Sequence, residues 1–148
     1  MKREIITTLD GSTTIHLSEW NESYHSKHGA IQEAKHVFIK NGLELFENNP
    51  VSILEIGFGT GLNAFITFLE SERKQQKINY VGVEAYPVNA EEVLAMNYVK
   101  ELDALEFNNI FEKMHKCEWD KENEICPLFS LTKRKQFFDE INDFKFLI

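Results

Sequence analysis

Apolar residues recur along this chain with two periods, and the two periods meet within residues 51–63. Residues 51–56, VSILEI, form an almost continuous apolar run, which is typical of a parallel strand covered on both faces. The next apolar positions repeat at helical spacing and are Leu62, Phe65, Ile66 and Leu69. Between the two patterns lie three glycines at alternate positions, Gly57, Gly59 and Gly61. The stretch therefore predicts a buried strand, a tight loop and a helix.

Similar patterns predict elements on both sides of this stretch. Residues 4–16 are rich in β-branched residues around Asp10-Gly11, a pair typical of a two-residue hairpin turn. A helical apolar face begins near Gly29 and consists of Ile31, Ala34, Val37 and Phe38. Residues 71–77 have no apolar periodicity and predict a solvated loop, whereas residues 78–84, INYVGVE, predict a second buried strand.

After residue 84 the pattern predicts helices and then a β-ribbon. Pro87 is placed to begin a helix. Its apolar face would hold Ala90, Val93, Leu94 and residues 97–98, and a second helical face holds Phe107, Ile110, Phe111 and Met114. Alternation within residues 117–134 predicts a ribbon or third strand, and residues 137–141 predict a further short helix. We therefore expect an α/β fold, with a hairpin and helical cover in residues 1–48 and a nucleotide-binding domain in residues 49–148.

Composition fits a folded domain, since 43% of the 148 residues are hydrophobic and 12 are Phe. No apolar run is long enough to span a membrane and the first ten residues contain no signal core, so we expect a cytoplasmic protein without membrane association. The net charge of -8 argues against nucleic-acid binding through an extended positively charged surface. The basic cluster 133–135 is expected to be solvated surface, with RNA contact as the alternative.

No metal site is expected from the cysteines and histidines. Cys117 and Cys126 lie nine residues apart, outside the spacing of zinc ligands, and we expect two reduced thiols. His25 and His28 are three residues apart but have no neighbouring cysteine or well-placed carboxylate. We interpret them as two solvated loop histidines.

The residues around the glycines narrow the choice of nucleotide-type ligand. The dinucleotide fingerprint requires a glycine where this chain has Leu62. Glu55 ends the strand, where its carboxylate would repel a pyrophosphate and attract a cationic amine. S-adenosylmethionine carries an amine and a sulfonium but no phosphate, which favours it over NAD and an NAD-dependent oxidoreductase. Glu84 ends the second strand and is the candidate acceptor for both ribose hydroxyls, with helix capping as the alternative.

The motif ExGxGxG, from Glu55 to Gly61, resembles the first motif of class I S-adenosylmethionine-dependent methyltransferases. Residues 24–39, with the pattern Y-H-S-x-H-G-A-I-x-E-x-x-H-V-F-I, resemble the region upstream of that motif in one group. This group is the tRNA 5-methylaminomethyl-2-thiouridine methyltransferase family, which finishes a modified wobble uridine. The resemblance runs from about Asp10 to Glu84. It implies a Rossmann-like fold, S-adenosylmethionine as cofactor and tRNA as partner.

The resemblance also implies which residues bind the cofactor. Glu55 would hold the methionine amine, loop 57–61 would approach the cofactor backbone, and Glu84 would hold the ribose. The complete expected set is Glu55, Gly57, Phe58, Gly59, Gly61, Asn63, Glu84, Tyr24 and Ser26. For Tyr24 and Ser26 the alternative is an ordinary capping turn before a helix. The sequence identifies no catalytic residue and leaves the oligomeric state open.

The chain departs from the family pattern in its second half. Where many relatives carry a Gly-Asp pair whose Asp contacts adenine, this chain has basic residues and then Gln136. Residues 144–148, FKFLI, predict the start of a fourth strand, and the later acidic Asp-x-Phe motif of the family is absent from the sequence. We therefore expect the N-terminal, cofactor-binding half of such a doubly wound methyltransferase domain, apparently truncated, with an inactive paralogue as the alternative.

Overall fold

The computed structural model describes residues 2–141, and its strands form two sheets. The first sheet is antiparallel and contains β1 (Arg3–Thr7), β2 (Thr13–Leu17) and β3 (Glu22–Ser23). The second contains β4 (Val51–Ile56), β5 (Ile78–Glu84), β6 (Glu122–Cys126) and β7 (Phe129–Lys135), in the order β4-β5-β7-β6. β4, β5 and β7 are parallel, whereas β6 is antiparallel to β7. The predicted strand at residues 144–148 lies outside the described residues.

Helices connect the parallel strands, as the sequence pattern predicted. They are α1 (Ala30–Ala34), α2 (Leu62–Lys74), α3 (Ala90–Ala95), α4 (Tyr98–Glu101) and α5 (Asn108–Lys116). A π-helix at Lys35–Lys40 continues α1, and short 3-10 helices lie at Leu43–Phe46, Leu105–Phe107 and Phe138–Glu140. The helix predicted from Pro87 through residue 98 is wrong in two respects. It begins only after Asn89, whose side chain caps it, and it ends before Met96, which is extended.

The predicted N-terminal hairpin is confirmed, but its turn is longer than two residues. The Thr8 amide donates to the Ser12 carbonyl at 2.8 Å, and Gly11 has a φ of 88°. This is a three-residue loop with its glycine in the left-handed region. Three side chains of the loop accept hydrogen bonds from the first amides of α1: Thr8 from Ala30, Ser12 from Ile31 and Asp10 from Gln32. The loop thus caps α1 and fixes its position.

The π-helix changes which residues of this segment face the core. The prediction placed Val37 on the buried face, but Val37 is 53% exposed whereas Ile39 is 6% exposed. Ala34 and Ile39 are both buried and lie five residues apart, which is the spacing of a wide π turn rather than of an α-helix. Val37 consequently lies at the surface near the carboxyl end of β4, whereas Phe38 lies near the same strand end but is half-buried and packs against the core.

The solvated loop predicted for residues 71–77 is wrong. α2 continues to Lys74, and Ser71 and Gln76 are buried. The Ser71 hydroxyl donates to the Gln76 carbonyl at 2.6 Å, and the Gln76 amide donates to the carbonyls of Phe46 and Asn49 at 2.8 Å. Backbone carbonyls thus accept from the Ser71 hydroxyl and from the Gln76 side-chain amide, which offsets the cost of burying these donors, although Gln76 Oε1 is buried without a partner.

The core lies between the second sheet and the helices, and it is rich in aromatic side chains. Phe65 packs edge-on against Phe111, and Phe68 packs edge-on against Phe129. Each such side chain stabilises the fold by about 1.5–3 kcal/mol when fully buried. The prediction that β4 is covered on both faces is wrong for Ile56, which is 54% exposed.

Lys133 does not belong to a solvated cluster, contrary to the prediction for residues 133–135. Its side chain is only 1% exposed and donates to the His115 carbonyl at 2.7 Å. Its ammonium also lies 4.6 Å from the centre of the Trp119 ring, an arrangement that favours a cation. Burial lowers the pKa of Lys133.

The N-terminal sheet is attached to the segment that follows β5. The Arg3 guanidinium pairs with Glu92 at 3.0 Å and donates to the Tyr86 carbonyl, while the Thr13 amide donates to Asn97.

The division of the chain at residues 48 and 49 stays a prediction. Within residues 2–141 no helix is long and apolar enough to cross a bilayer, and Cys117 and Cys126 are not joined to each other in a disulfide.

Candidate functional site

The loop between β4 and α2 turns sharply because all three of its glycines have positive φ. The values are 86° at Gly57, 56° at Gly59 and 77° at Gly61. The amides of Gly57 and Phe58 both donate to the Val83 carbonyl, at 2.8 and 2.9 Å, which fastens the loop to the end of β5. The predicted sequence of strand, tight loop and helix is therefore confirmed.

Two of the glycines also occupy positions where an added side chain would be crowded. A Cβ at Gly61 would lie 2.8 Å from His115 Nε2, and one at Gly59 would lie 3.2 Å from Tyr24 Cδ2. Gly57 differs, since a Cβ there would have no neighbour within 4 Å. The loop thus packs tightly against His115 on one side and Tyr24 on the other, and it is open at Gly57.

Glu84 ends β5 and binds the loop directly. Its Oε2 accepts from the Gly59 amide at 2.8 Å, and its Oε1 accepts from the Tyr86 amide at 2.9 Å. It does not cap the next helix, because Asn89 does so. Each carboxylate oxygen has a second lone pair, so Glu84 can still accept hydrogen bonds from a ligand.

Glu55 lies beneath the loop and is 4% exposed. Its Oε2 accepts from Asn63 Nδ2 at 2.8 Å, whereas Glu55 Oε1 and Asn63 Oδ1 are buried without a hydrogen-bond partner. The Tyr80 hydroxyl is close enough to influence the carboxyl but makes no hydrogen bond of standard geometry. Burial raises the pKa of Glu55 to about 8. Two adjacent polar oxygens without partners are unusual in a protein interior, and both would accept from a cationic N–H donor once Glu55 has released its proton.

A hollow of about 460 Å³ opens above the loop, and we call it the glycine-loop hollow. Residues of the N-terminal segment form one wall: Tyr24, His25, Glu33, Val37 and Phe38. The opposite wall is formed by the ends of two strands and the loop: Ile56, Gly57, Phe58, Gly59, Asn63 and Glu84. The structure thereby brings the upstream segment and the glycine motif together, although they are separated in sequence.

The charged groups of this hollow are carboxylates. Glu33 and Glu84 line it, and no Lys or Arg side chain of residues 2–141 does. His25 adds no charge at neutral pH, because burial lowers its pKa to about 4, and its Nδ1 lies 3.2 Å from the Thr14 hydroxyl. His25 thus lies in a loop, as predicted, but it is half-buried rather than solvated. The hollow favours a ligand with positive charge.

The predicted site residues divide into two groups. Gly57, Phe58, Gly59, Asn63, Glu84 and Tyr24 line the hollow, whereas Glu55 and Gly61 support it from beneath. Ser26 does not line it; its hydroxyl accepts from the His28 amide at 3.1 Å in a turn before α1. Sequence reasoning assigned no role in the site to His25, Val37, Phe38 or Ile56, because their position depends on the π turn and on the N-terminal sheet. In the part of the chain that the structure describes, no group of three His, Cys, Asp or Glu side chains could hold a metal ion.

Comparisons with known proteins point to one family. The MnmC protein of Leptospira interrogans serovar copenhageni is 34% identical over 84 residues, which cover 51% of this chain and 13% of that protein. The MnmC protein of Acidovorax sp. is 35% identical over 81 residues, with the same coverage. Both are named tRNA 5-methylaminomethyl-2-thiouridine biosynthesis bifunctional proteins. No protein-family model matches the chain.

A solved structure extends the likeness to almost the whole chain. MnmC2 from Aquifex aeolicus aligns with a TM-score of 0.69 and 25% identity, covering 98% of this chain and 47% of that one. This confirms the predicted α/β, Rossmann-like fold. The chain spans about half of that structure and a smaller part of the curated relatives. Together these matches confirm the resemblance of this chain to the tRNA 5-methylaminomethyl-2-thiouridine family, over the fragment of those proteins that it covers.

Proposed function

We propose that this chain binds S-adenosylmethionine in the glycine-loop hollow and forms the cofactor-binding part of a methyltransferase that modifies the tRNA wobble uridine. The observation that carries the proposal is the charge of the site. Carboxylates line the hollow, a buried carboxyl beneath it has an unpartnered oxygen, and no Lys or Arg side chain of the described residues lines it. Anionic ligands are repelled from such a site, and a cationic one is attracted.

The residues present fit this cofactor. The unpartnered Asn63 Oδ1 is an acceptor for an ammonium group next to the loop, and Glu55 Oε1 becomes a second one when Glu55 releases its proton. Glu84, held by the Gly59 and Tyr86 amides, is oriented to accept from ribose hydroxyls. Gly57 leaves the backbone accessible, so a ligand can approach it closely. Ser26 lies outside the lining and contributes through its turn rather than through direct contact.

When bound, the cofactor supplies a methyl group on a sulfonium, which a neutral amine can attack. The chain's own residues bind and orient it and exclude water, and such a transfer depends more on alignment than on a protein acid or base. The names of the relatives support 5-aminomethyl-2-thiouridine in tRNA as the substrate. A tRNA-modifying role also fits the expected cytoplasmic location.

The competing proposal is an NAD-dependent oxidoreductase. A dinucleotide brings two phosphates to the glycine loop, where a helix N-terminus would attract them. In this chain Glu84 already engages the loop amide of Gly59, and Glu33 lines the same hollow. Two carboxylates so close to the phosphates oppose dinucleotide binding.

Calorimetry of the 148-residue chain with S-adenosylmethionine and with NAD tests the cofactor. We expect saturable binding of S-adenosylmethionine, and Glu84→Gln should weaken it by roughly 5- to 150-fold, since a charged hydrogen-bond acceptor is lost. Glu91→Gln, on exposed α3, is the control and should leave the affinity unchanged. Tighter binding of NAD than of S-adenosylmethionine overturns the proposal. Methyl transfer to tRNA carrying 5-aminomethyl-2-thiouridine tests the substrate separately.

A further inference from the structure

Three polar side chains lie together beneath the glycine loop, one each from β4, α2 and β5. They are Glu55, Asn63 and Tyr80, and each has a buried oxygen without a hydrogen-bond partner. Asn63 also lines the glycine-loop hollow, so this side chain connects the hollow with the Glu55 carboxyl. We propose that an ammonium-bearing ligand in this hollow releases one proton from Glu55 when it binds, so that the affinity of the site rises with pH. The inference rests on the proposed function, because S-adenosylmethionine is the ligand that would supply the ammonium.

Without a ligand, the surroundings of Glu55 favour its neutral acid. The side chain is buried, and among residues 2–141 the Asn63 amide, at 2.8 Å, is the one donor that reaches it with standard geometry. No Lys or Arg side chain of these residues pairs with it, whereas the charge of Glu84 opposes its ionisation. A buried carboxylate is stable only when several donors or a cation compensate its charge. Burial accordingly raises the pKa of Glu55 to about 8.

A cation in the hollow reverses this preference. In a protein interior a positive charge stabilises a nearby carboxylate even without direct contact, because water screens the attraction only weakly there. Ionisation breaks the O–H bond of the Glu55 carboxyl, and the proton passes to the solvent. The Tyr80 hydroxyl, which lies close to Glu55, can donate to the carboxylate that forms. The ammonium is the effective group rather than the sulfonium, because only an N–H donor also satisfies Asn63 Oδ1.

The histidines and tyrosines around the loop do not account for such a proton. His25 in the N-terminal segment and His115 on α5 are neutral above pH 6, because burial lowers the pKa of each to about 4. Burial raises the pKa values of Tyr24 and Tyr80 above the usual value of 10, so both phenols stay neutral as well.

The remaining charged groups near Glu55 are one lysine and two carboxylates. Lys133 lies on the same face of the sheet as Glu55, but β5 runs between their two strands and the Lys133 ammonium donates to a backbone carbonyl. Glu33 and Glu84 line the hollow. Because these two carboxylates are unchanged in a variant of Glu55, such a variant separates their effect from that of Glu55.

Calorimetric titration of the 148-residue chain with S-adenosylmethionine measures the released proton. Phosphate and Tris have small and large heats of ionisation, so the heats of binding in these two buffers differ in proportion to the number of protons released. We expect about one proton per bound ligand, and an affinity that rises about tenfold between pH 6 and pH 7. The ligand amine stays largely charged in this interval, since the usual pKa of an α-amino group is about 8.

The unmodified chain alone distinguishes failure of this inference from failure of the proposed function. Binding of S-adenosylmethionine without proton release overturns the inference and leaves the proposed function standing. Absence of binding overturns both.

Substitutions identify the group that releases the proton. Glu55→Gln should release none and should bind S-adenosylmethionine with the same affinity at pH 6 and at pH 7. Glu91→Gln, on exposed α3, is the control and should release as many protons as the unmodified chain. Proton release that persists in Glu55→Gln overturns the assignment to Glu55. Tyr80→Phe removes a donor for the ionised carboxylate, so the affinity should level off at a higher pH, and an unchanged pH profile overturns the role of Tyr80.

Two further ligands identify the charge that acts on Glu55. S-adenosylhomocysteine keeps the amine but lacks the sulfonium, and it should release the same proton. Methylthioadenosine carries neither charge, and its binding should release none. Proton release with S-adenosylmethionine but not with S-adenosylhomocysteine overturns the assignment to the ammonium.

Discussion

The buried carboxyl of Glu55 should make the stability of the protein fall as pH rises above neutrality. Burial raises its pKa in the folded state from the usual 4.5 to about 8. At pH 7 the folded protein therefore holds a proton that the unfolded chain releases. A group of this kind contributes stability that is complete below pH 4.5 and is lost as pH rises through 8.

The size of the effect follows from the two pKa values. Between pH 6.5 and 8, linkage gives a loss of about 1.6 kcal/mol in the free energy of unfolding from this group alone. His25 and His115 work in the opposite direction, since their lowered pKa values add stability as the unfolded chain loses protons near pH 6.5. Glu55→Gln keeps both histidines and replaces the carboxyl with a neutral amide of similar shape. The difference between the two proteins therefore isolates Glu55.

Urea denaturation at several pH values between 6.5 and 8 measures the effect. The free energy of unfolding of Glu55→Gln, relative to that of the unmodified protein, should rise by about 1.6 kcal/mol from pH 6.5 to pH 8. For Glu118→Gln, which changes an exposed carboxylate, the free energy of unfolding should vary with pH in parallel with that of the unmodified protein. If the free energies of unfolding of Glu55→Gln and of the unmodified protein change in parallel with pH, Glu55 is not protonated in the folded protein at neutral pH.

Other substitutions test the packing of the loop. Gly61→Ala places a Cβ 2.8 Å from His115 Nε2 at a residue with positive φ, and it should lower the free energy of unfolding by about 2–4 kcal/mol. Gly57→Ala also has a positive φ but meets open space, so it should lower the free energy of unfolding by only about 1–2 kcal/mol. Urea denaturation of the pair gives the difference, and equal losses would contradict the packing argument. Tyr98→Phe removes a buried hydrogen bond of 2.9 Å to the Thr60 hydroxyl and should cost about 1 kcal/mol. Thermal unfolding measures this, and an unchanged Tm would show that water replaces the bond.

The elements that local patterns specify were predictable from the sequence. β5 spans Ile78–Glu84 as predicted, and the glycines after β4 turn as their spacing required. Glu84 could be placed at the edge of the sheet because the carboxyl ends of parallel strands lie together. The strand and the turn are determined by residues close together in sequence, whereas the position of Glu84 follows from the fold class.

The errors concern residues whose environment depends on distant segments. Lys133 stands in a run of three basic residues, which usually indicates solvated surface, but Trp119 and the His115 carbonyl bury it. Gln76 lies in a polar connector, yet its side chain is buried and its amide nitrogen donates to carbonyls 27 and 30 residues away. His25 is neutral because the N-terminal segment folds over the hollow, which no local pattern records.

The π turn at Lys35–Lys40 has a consequence for length variation in this chain. A wide turn accommodates one residue more than an α-helical turn, so a single deletion within it would restore a regular helix. Ile39 would then lie four residues after Ala34, so both would stay on one buried face and the residues beyond the turn would keep their orientation. The change would be confined to the segment that contains Val37 and Phe38, which line the glycine-loop hollow. One deletion could thereby reshape the wall of that hollow while leaving the core position of Ile39, the sheet and the glycine motif unchanged.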